Sequence, residues 1–332
     1  AHKPLPQWAV EGVLLSSDLV PHLLAPLQLE DGAVAAVCSR WADSWKATSE
    51  GRRHLRQVAC DFPQDLLATQ DFRMAVVKSG LVVKSGSTVR ILARDMSSGT
   101  SFELPTGQGG LHIAASEQFL YATGSIDSQV HDLSEVRILT HAGTEVASYE
   151  DQDKYIICPT LAPGGLLYCV LFVEGDNEQD EIIALDAQTL QPRHRFGLSL
   201  INDVRGMVVA GEELFVCDTG NDRLQVFSLA GEHRRSITGD WKRPVALCFV
   251  KDRLYLVEEA DDDEDEESEL FNPLQGRRIF VLSLQGDTLE VYTNPVEDQW
   301  FTESLCYFDG KLLVPVQDAE WVVVGVLALR GL

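Results

Sequence analysis

The sequence lacks the motifs of several large classes of enzyme. It contains no GxSxG, HExxH or GxGxxG motif and no phosphate-binding loop, so no nucleophile, zinc-peptidase or nucleotide site is indicated. The first residues, AHKPLPQW, lack the apolar segment of a signal peptide, and no apolar run is long enough to span a bilayer. We therefore predict no catalytic residues, no cofactor, no metal and no membrane association. Ala1 in place of Met indicates that residues upstream are missing.

The seven cysteines include no CxxC pair, and no Asn-X-Ser/Thr glycosylation acceptor occurs. Five cysteines lie inside apolar, strand-like runs, where free cysteine packs as a small hydrophobic residue. This usage predicts a reducing compartment, the cytoplasm or the nucleus. The five are Cys158, Cys169, Cys217, Cys248 and Cys306.

Positive charge is scarce: 27 basic residues stand against 51 acidic ones, for a net charge of −24. Such a balance disfavours binding to nucleic acid or anionic membranes and favours a basic protein partner. We expect the protein to be a monomer.

From residue 55 onward, pairs of short strands with turns between them recur at a period of about 40 to 50 residues, which is typical of a β-propeller. Six such units can be drawn, and the last has only three strands. Because an open sheet edge leaves backbone groups unpaired, we predict that residues 55–61 supply the missing outer strand. The units are Arg73–Leu104, Leu111–Tyr149, Tyr155–Phe196, Arg205–Ser236, Pro244–Tyr292 and Phe301–Arg330.

One unit, residues 213–232, carries a more specific signature. Its turn and second strand have the pattern Asp-x-x-Asn-x-Arg-apolar-x-Val-Phe followed by Gly, which resembles the NHL repeat. The other units keep the strand rhythm but not this motif. The resemblance implies a six-bladed, NHL-like propeller over residues 55–332. The matching residues are Asp218, Asn221, Arg223, Leu224, Val226, Phe227 and Gly231.

Residues 10–54 differ from the rest of the chain, because apolar residues recur there at helical spacing. The stretch 14–45 resembles an F-box in order and spacing, although Leu15-Ser16 stands where that family usually has proline. The resemblance implies a mainly β protein with a small helical F-box-like unit, acting as a substrate receptor of a cullin-type ubiquitin ligase. The residues implied to bind the Skp-type adaptor are Leu14, Leu19, Leu23, Leu24, Leu27 and Trp41.

In a four-stranded blade, the loops joining the second to the third strand and the fourth to the next first strand emerge on one face. Five of the six second-to-third loops carry carboxylates, including the acidic run 258–269. We therefore predict that this face docks a basic target protein, although acidic loops also serve solubility alone. The residues predicted for this face are Asp132, Glu174, Asp176, Asp218, Asn221, Arg223, Trp241, Arg243, Trp300 and Asp318.

Two alternatives remain open at this stage. The helical segment could be a cap on a binding scaffold without any connection to ubiquitin. The propeller could also be a calcium-dependent hydrolase that resembles gluconolactonase and paraoxonase, which would place oxygen ligands such as Asn202, Asp203, Asp218 and Asn221 at the channel mouth. Four histidines, without a paired Cys or Asp arrangement, are interpreted as surface or strand residues: His112, His131, His141 and His194.

Overall fold

The computed structural model describes residues 54–104, 112–126, 133–151, 153–173, 179–260 and 272–331. They form two compact units: residues 60–327, and a smaller unit whose described residues are 54–59 and 328–331. In this part of the chain the structure has 25 strands and two short 3₁₀ turns, at Gln64–Leu66 and Thr219–Asn221. No helix among the described residues is long and apolar enough to cross a membrane. The predicted helical unit, with its six adaptor-binding residues, lies outside the described residues except for His54.

Five sheets each contain four antiparallel strands in chain order. Blade 1 consists of β2 (Phe72–Val77), β3 (Gly80–Ser85), β4 (Thr88–Ala93) and β5 (Ser98–Glu103). Blade 2 consists of β6 (Ile113–Ala115), β7 (Phe119–Ile126), β8 (Leu133–Thr140) and β9 (Glu145–Asp151). Blade 3 consists of β10 (Tyr155–Ala162), β11 (Leu166–Phe172), β12 (Glu181–Asp186) and β13 (Pro192–Phe196). Blade 4 consists of β14 (Val204–Ala210), β15 (Glu213–Asp218), β16 (Arg223–Ser228) and β17 (His233–Thr238). Blade 5 consists of β18 (Pro244–Val250), β19 (Arg253–Glu258), β20 (Arg278–Ser283) and β21 (Thr288–Thr293).

The sixth sheet combines strands from the end of the chain with one from an early segment. Its order is β1-β25-β24-β22, and β23 also pairs with β24. Within the smaller unit, residues 56–58 run antiparallel to residues 328–330, where the sequence analysis expects residues 55–61 to pair. The six-bladed β-propeller predicted from the sequence is confirmed. The strands are β1 (Arg56–Val58), β22 (Trp300–Phe301), β23 (Cys306–Phe308), β24 (Lys311–Gln317) and β25 (Val323–Arg330).

The hydrophobic core lies between neighbouring blades. The second strand of a blade is covered on both of its faces, so β19 is buried at all six of its residues. The cluster between blades 4 and 5 joins Phe215 and Leu224 of one blade to Leu256 and Phe280 of the next. Burying a side chain of this size contributes roughly 1.5–3 kcal/mol. Packing of blade against blade therefore explains the uninterrupted apolar runs in the sequence.

A buried carboxylate holds the turn between β15 and β16 together. The side chain of Asp218 is fully buried. Its Oδ1 accepts hydrogen bonds from the backbone N–H of Asn202 at 2.7 Å and from Nδ2 of Asn221 at 2.8 Å. Its Oδ2 accepts from Nε of Arg223 at 2.7 Å and from Nε2 of Gln225 at 3.3 Å. The residues of the NHL-like motif thus form one hydrogen-bonded cluster inside the blade.

Replacing Asp218 with alanine leaves the Arg223 guanidinium and the Asn202 N–H without their acceptor. Removing one partner of a buried ion pair costs about 3–5 kcal/mol. Because Arg223 is partly exposed, we expect a loss near the lower end, about 3 kcal/mol. Urea denaturation of the Asp218→Ala chain measures this loss.

The matched control is Asp287→Ala, which removes an exposed carboxylate that accepts a 3.0 Å hydrogen bond from Ser283 in a turn. We expect a change within about 0.5 kcal/mol for this variant. Equal losses in the two variants would contradict the role assigned to Asp218.

Candidate functional site

The innermost strands of three consecutive blades each contain a β-bulge near their start. The extra residues are unpaired with the second strand, and they are Cys158 and Pro159 in β10, Arg205 in β14 and Val245 in β18. A bulge redirects side chains and is common beside functional sites. All four of these residues line one cavity in the channel, so the bulges bring them together.

In blade 6 the innermost strand is interrupted over a longer segment than in a bulge. Residues 302–305 lie between β22 and β23, opposite Pro315 of β24, which has no backbone N–H to donate to a ladder. Glu303 and Ser304 of this interruption face blade 1: Glu303 Oε2 lies 2.8 Å from Nη2 of Arg73, and Ser304 Oγ accepts the N–H of Met74 at 3.0 Å. This segment completes the lining of the channel.

The inner cavity has a volume of about 130 Å³ and takes residues from all six blades. Its polar lining includes Arg73, His112, Cys158, Arg205 and Glu303. The approach of blades 4 and 5 here is close, because a Cβ on Gly206 would lie 2.5 Å from the carbonyl oxygen of Val245. The wall also includes the apolar side chains of Met74, Ile113, Met207, Leu247 and Leu305.

Cys158 lies at the bulge of β10 with a φ of +53°, a conformation that L-residues rarely adopt. Its Sγ donates to the carbonyl oxygen of Arg205 at 2.9 Å and lies 3.7 Å from Nδ1 of His112. Burial raises the pKa of the Cys158 thiol to about 12, and Glu303 adds to this rise. The thiol is therefore protonated at neutral pH and serves as a hydrogen-bond donor.

His112 lies just before β6 and is the second titratable group of the inner cavity. Burial holds the pKa of the His112 ring well below its usual range, and the nearby cations Arg73, Lys84 and Arg205 lower it further. Lys84 is itself fully buried and pairs with Asp71. The imidazole is therefore neutral at physiological pH.

A second cavity, of about 250 Å³, lies at the channel mouth among blades 5, 6 and 1. It shares Arg73, Val245 and Glu303 with the inner cavity, so the Arg73–Glu303 ion pair borders both. Trp321, which is 45% exposed, lines the second cavity from the turn between β24 and β25. We define the channel-mouth face as nine residues that line these two cavities or form ion pairs beside them. They are Arg73, Asp203, Arg205, Asp222, Lys242, Arg243, Glu259, Glu303 and Trp321.

A chain of ion pairs crosses this face between blades 4 and 5. Asp203 lies 2.6 Å from Nε of Arg205 and 3.1 Å from Nη2 of Arg243, and Arg243 also pairs with Glu259. The backbone N–H of Arg243 donates to Asp222 at 2.7 Å. Asp203 and Arg243 both have positive φ, at +50° and +41°. The face thus holds fixed charges of both signs.

Two residues predicted to contact a target, Asp218 and Trp241, are buried inside blades in this structure. Asp218 is fully buried in the turn cluster, and Trp241 is 1% exposed within the core between blades 4 and 5. The Trp241 ring packs edge-on against Phe280 at 5.7 Å between ring centroids. Neither side chain can reach a partner.

The other predicted residues of this face are distributed as follows. Arg243 lies on the channel-mouth face, while Asn221 and Arg223 are bonded to Asp218. Trp300 is half-buried in β22, and Asp318 accepts backbone N–H groups from Glu320 and Val322 within its own turn. Asp132, Glu174 and Asp176 lie outside the described residues.

The described carboxylates of the second-to-third loops do not form a uniformly acidic surface. Asp180 is buried and accepts the N–H of Val204 at 2.7 Å, which links blade 3 to blade 4. Glu258 is fully buried and pairs with Arg278 at 2.6 Å. Burial raises the pKa of both carboxyl groups. At these positions, acidic residues are buried in contacts within a blade (Glu258) or between two blades (Asp180) instead of facing solvent.

The residues present do not fit a calcium ion. Asp218 and Asn221 are bonded to each other, and Asp203 is neutralised by two guanidinium groups. Arg73 and Arg205 line the channel, and their charges would repel a divalent cation. Within the described ranges no group of three or more His, Cys, Asp or Glu side chains is arranged to hold a metal.

Sequence reasoning did not identify the residues that line the inner cavity. His112 was interpreted as a surface or strand residue, and Cys158 as an apolar packing residue. The available signal was positional, because Arg73, Cys158 and Arg205 all lie near the start of an innermost strand. The importance of this shared position can be recognised only when the bulges are known.

No protein-family model matches this chain, and no curated protein sequence matches it. Solved structures match it in fold. A streptogramin B lyase structure has a TM-score of 0.52 at 12% identity, covering 83% of this chain and 87% of the lyase chain. A luciferin-regenerating enzyme has a TM-score of 0.58 at 14% identity, covering 84% of this chain and 95% of that one. At such identities the likeness shows the propeller fold alone.

The raised pKa of Cys158 predicts slow alkylation of the folded protein. With a pKa of about 12, only about one thiol in 10⁴ is ionised at pH 8, and the thiolate is the reactive form. We expect iodoacetamide to modify Cys158 about a thousandfold more slowly in the folded chain than in urea, where the pKa returns to its ordinary value. Mass spectrometry of peptides measures both rates.

Cys60, which is partly exposed, provides an internal comparison and is expected to react faster than Cys158. Labelling of Cys158 at the rate of the unfolded chain would show instead that its thiol is ionised in the channel.

Proposed function

We propose that this chain is the target-recognition component of a cullin-type ubiquitin ligase and performs no catalysis of its own. Residues 10–54 bind a Skp-type adaptor through the F-box-like positions Leu14, Leu19, Leu23, Leu24, Leu27 and Trp41. The channel-mouth face of the propeller binds the target protein.

The observation that carries this proposal is the set of ion pairs that cross between blades on the channel-mouth face. Asp203 of blade 4 pairs with Arg243 at the start of blade 5, and Arg73 of blade 1 pairs with Glu303 of blade 6. Charges fixed in this way lose little freedom on binding, and charges of both signs select a partner with a complementary pattern. The exposed Trp321 at the rim adds an aromatic side chain of the kind that anchors protein interfaces.

Two acidic segments of the sequence support a basic target. The second-to-third connections of blades 3 and 5 contain the runs EGDNEQDE at 174–181 and EEADDDEDEESE at 258–269. Such segments accelerate the encounter with a positively charged protein. The mixed charges of the face would then set the orientation of that protein.

The chemistry of the inner cavity supports a binding role. Its one thiol, Cys158, is held protonated, and its neutral histidine lies among cations. The two solved structures of similar fold are named as enzymes, but a shared propeller fold does not transfer an activity. The non-catalytic assignment is therefore part of this proposal.

Mixing the full chain with a purified Skp-type adaptor tests the first half of the proposal. We expect the two proteins to co-elute in size-exclusion chromatography, and Leu19→Asp with Leu23→Asp to abolish the complex, because a charge in an apolar contact is costly to bury. The matched control is Leu15→Asp, which changes a neighbouring leucine outside the signature positions. Failure of the unaltered chain to co-elute would falsify the adaptor role and favour a scaffold with a helical cap.

Affinity capture from lysate tests the second half. We expect Arg243→Glu to reduce recovery of the captured target at least about tenfold, because the reversed charge repels Asp203 and Glu259 and alters the face. Quantitative mass spectrometry compares this variant with the unaltered chain.

The control is Arg234→Glu, which reverses a charge on the exposed outer strand β17. If both variants retain the same proteins in the same amounts, the target does not bind at the channel mouth.

A further inference from the structure

The inner cavity is an open pocket lined by all six blades, and guanidinium nitrogens without hydrogen-bond partners lie at its wall. Nη1 and Nη2 of Arg205 have no hydrogen-bond partner among the described residues, since only Nε is engaged, by Asp203. Nε of Arg73 is buried without a partner, while its Nη2 contacts Glu303. Of these nitrogens, Nε of Arg73 is buried, and a buried donor without a partner is costly. The Arg205 side chain is 34% exposed, so an anion in the cavity would replace solvent at its Nη atoms.

The neighbours of these two arginines are suited to an anion. Burial is the main cause of the lowered pKa of His112, and the cations Arg73, Lys84 and Arg205 lower it further, so these cations lie near any anion placed beside the ring. A guanidinium binds a carboxylate through two parallel hydrogen bonds. The residues come from blades 1, 2 and 4, so the propeller holds the groups in place without a flexible loop.

The balance of charge favours a group with one negative charge over one with two. Arg73 already faces Glu303, and Arg205 already faces Asp203. A doubly charged phosphate would require unpaired positive charge that these pairs do not leave. A carboxylate requires only the Nη1 and Nη2 donors of Arg205 and the Nε donor of Arg73, whose Nη1 already donates to the carbonyl oxygen of Phe72.

The volume of the cavity and its apolar side chains determine which group can accompany the carboxylate of the ligand. Cavities of about 150 Å³ in other proteins bind molecules of the size of benzene, and this one has a volume of about 130 Å³. Its apolar side chains offer contacts to a short hydrocarbon chain. They include Met74, Ile113, Met207 and Leu247, each of which is buried or nearly so.

We propose that the inner cavity binds a small monocarboxylic acid, with the carboxylate held by Arg205 and Arg73 and the hydrocarbon chain against Met74, Met207 and Leu247. The site shares Arg73 and Arg205 with the channel-mouth face, but its ligand is a small acid inside the inner cavity. The inference does not depend on the proposed ubiquitin-ligase role.

The chain contains three methionines, which makes the experiment direct. Met74 and Met207 line the inner cavity, whereas Met96 lies in the turn between β4 and β5. In a full chain labelled with ¹³C at the methionine methyl groups, butyrate is titrated at constant ionic strength. We expect saturable shifts of the Met74 and Met207 resonances with a dissociation constant on the order of 1 mM, and no shift of Met96.

Variants and other probes separate specific binding from effects of charge alone. Arg205→Gln is expected to weaken butyrate binding about tenfold, because a charge-assisted hydrogen bond is lost. The matched control, Arg234→Gln on β17, is expected to bind as the unaltered chain does. Butylamine, which has a similar chain but the opposite charge, is expected to cause no shift of Met74 or Met207.

Four results would overturn the proposal: no shift with butyrate, equal shifts with butylamine, unaltered affinity in Arg205→Gln, or tighter binding of inorganic phosphate. If Arg205→Gln does not fold, Arg73→Gln and the comparison of butyrate with butylamine still decide the question. Butyrate binding in a chain that fails to bind the adaptor would refute the proposed function and leave this inference standing.

Discussion

The packing of each blade against the next is the interaction on which the rest of the structure depends. A single four-stranded sheet of this size has two apolar faces and cannot bury both by itself. The cluster that joins Phe215 and Leu224 to Leu256 and Phe280 shows how a neighbouring blade covers each face. The same face-to-face packing brings the innermost strands around one channel. Any site in the channel is therefore assembled from residues that are far apart in sequence.

Polar groups act as connectors within this arrangement. Asp218 holds the turn of its own blade, and Asp180 joins blade 3 to the first strand of blade 4. Arg243 links blade 5 to Asp203 of blade 4. Because buried polar groups require partners, each of these contacts fixes the angle at which two segments meet. The acidic composition of the chain is thus partly structural and does not describe the surface alone.

The channel itself depends on departures from regular pairing. Bulges in β10, β14 and β18 and the interruption between β22 and β23 direct Cys158, Arg205, Val245 and Glu303 into one cavity. A regular ladder would alternate side chains between the two faces of each sheet, toward neighbouring blades. Breaking the ladder at equivalent points of successive blades creates a polar cavity without disturbing the core. The residues of the cavity and those of the core are consequently on different strands. The second strands contribute to the buried core, and the first strands supply residues that line the cavity.

The sequence by itself determined the rhythm of the strands and the number of blades, because apolar runs, turn residues and spacing are local properties. Residues 72–103, 155–196 and 204–238 form blades close to where those runs and turns place them. Only the tertiary structure decided which polar and aromatic residues face solvent. Trp241 and Asp218 follow turn-rich segments and look exposed in sequence, yet the neighbouring blade and the turn cluster bury them. Arg205 and Cys158 enter the channel because of bulges, and a bulge depends on the partner strand, which no local pattern records.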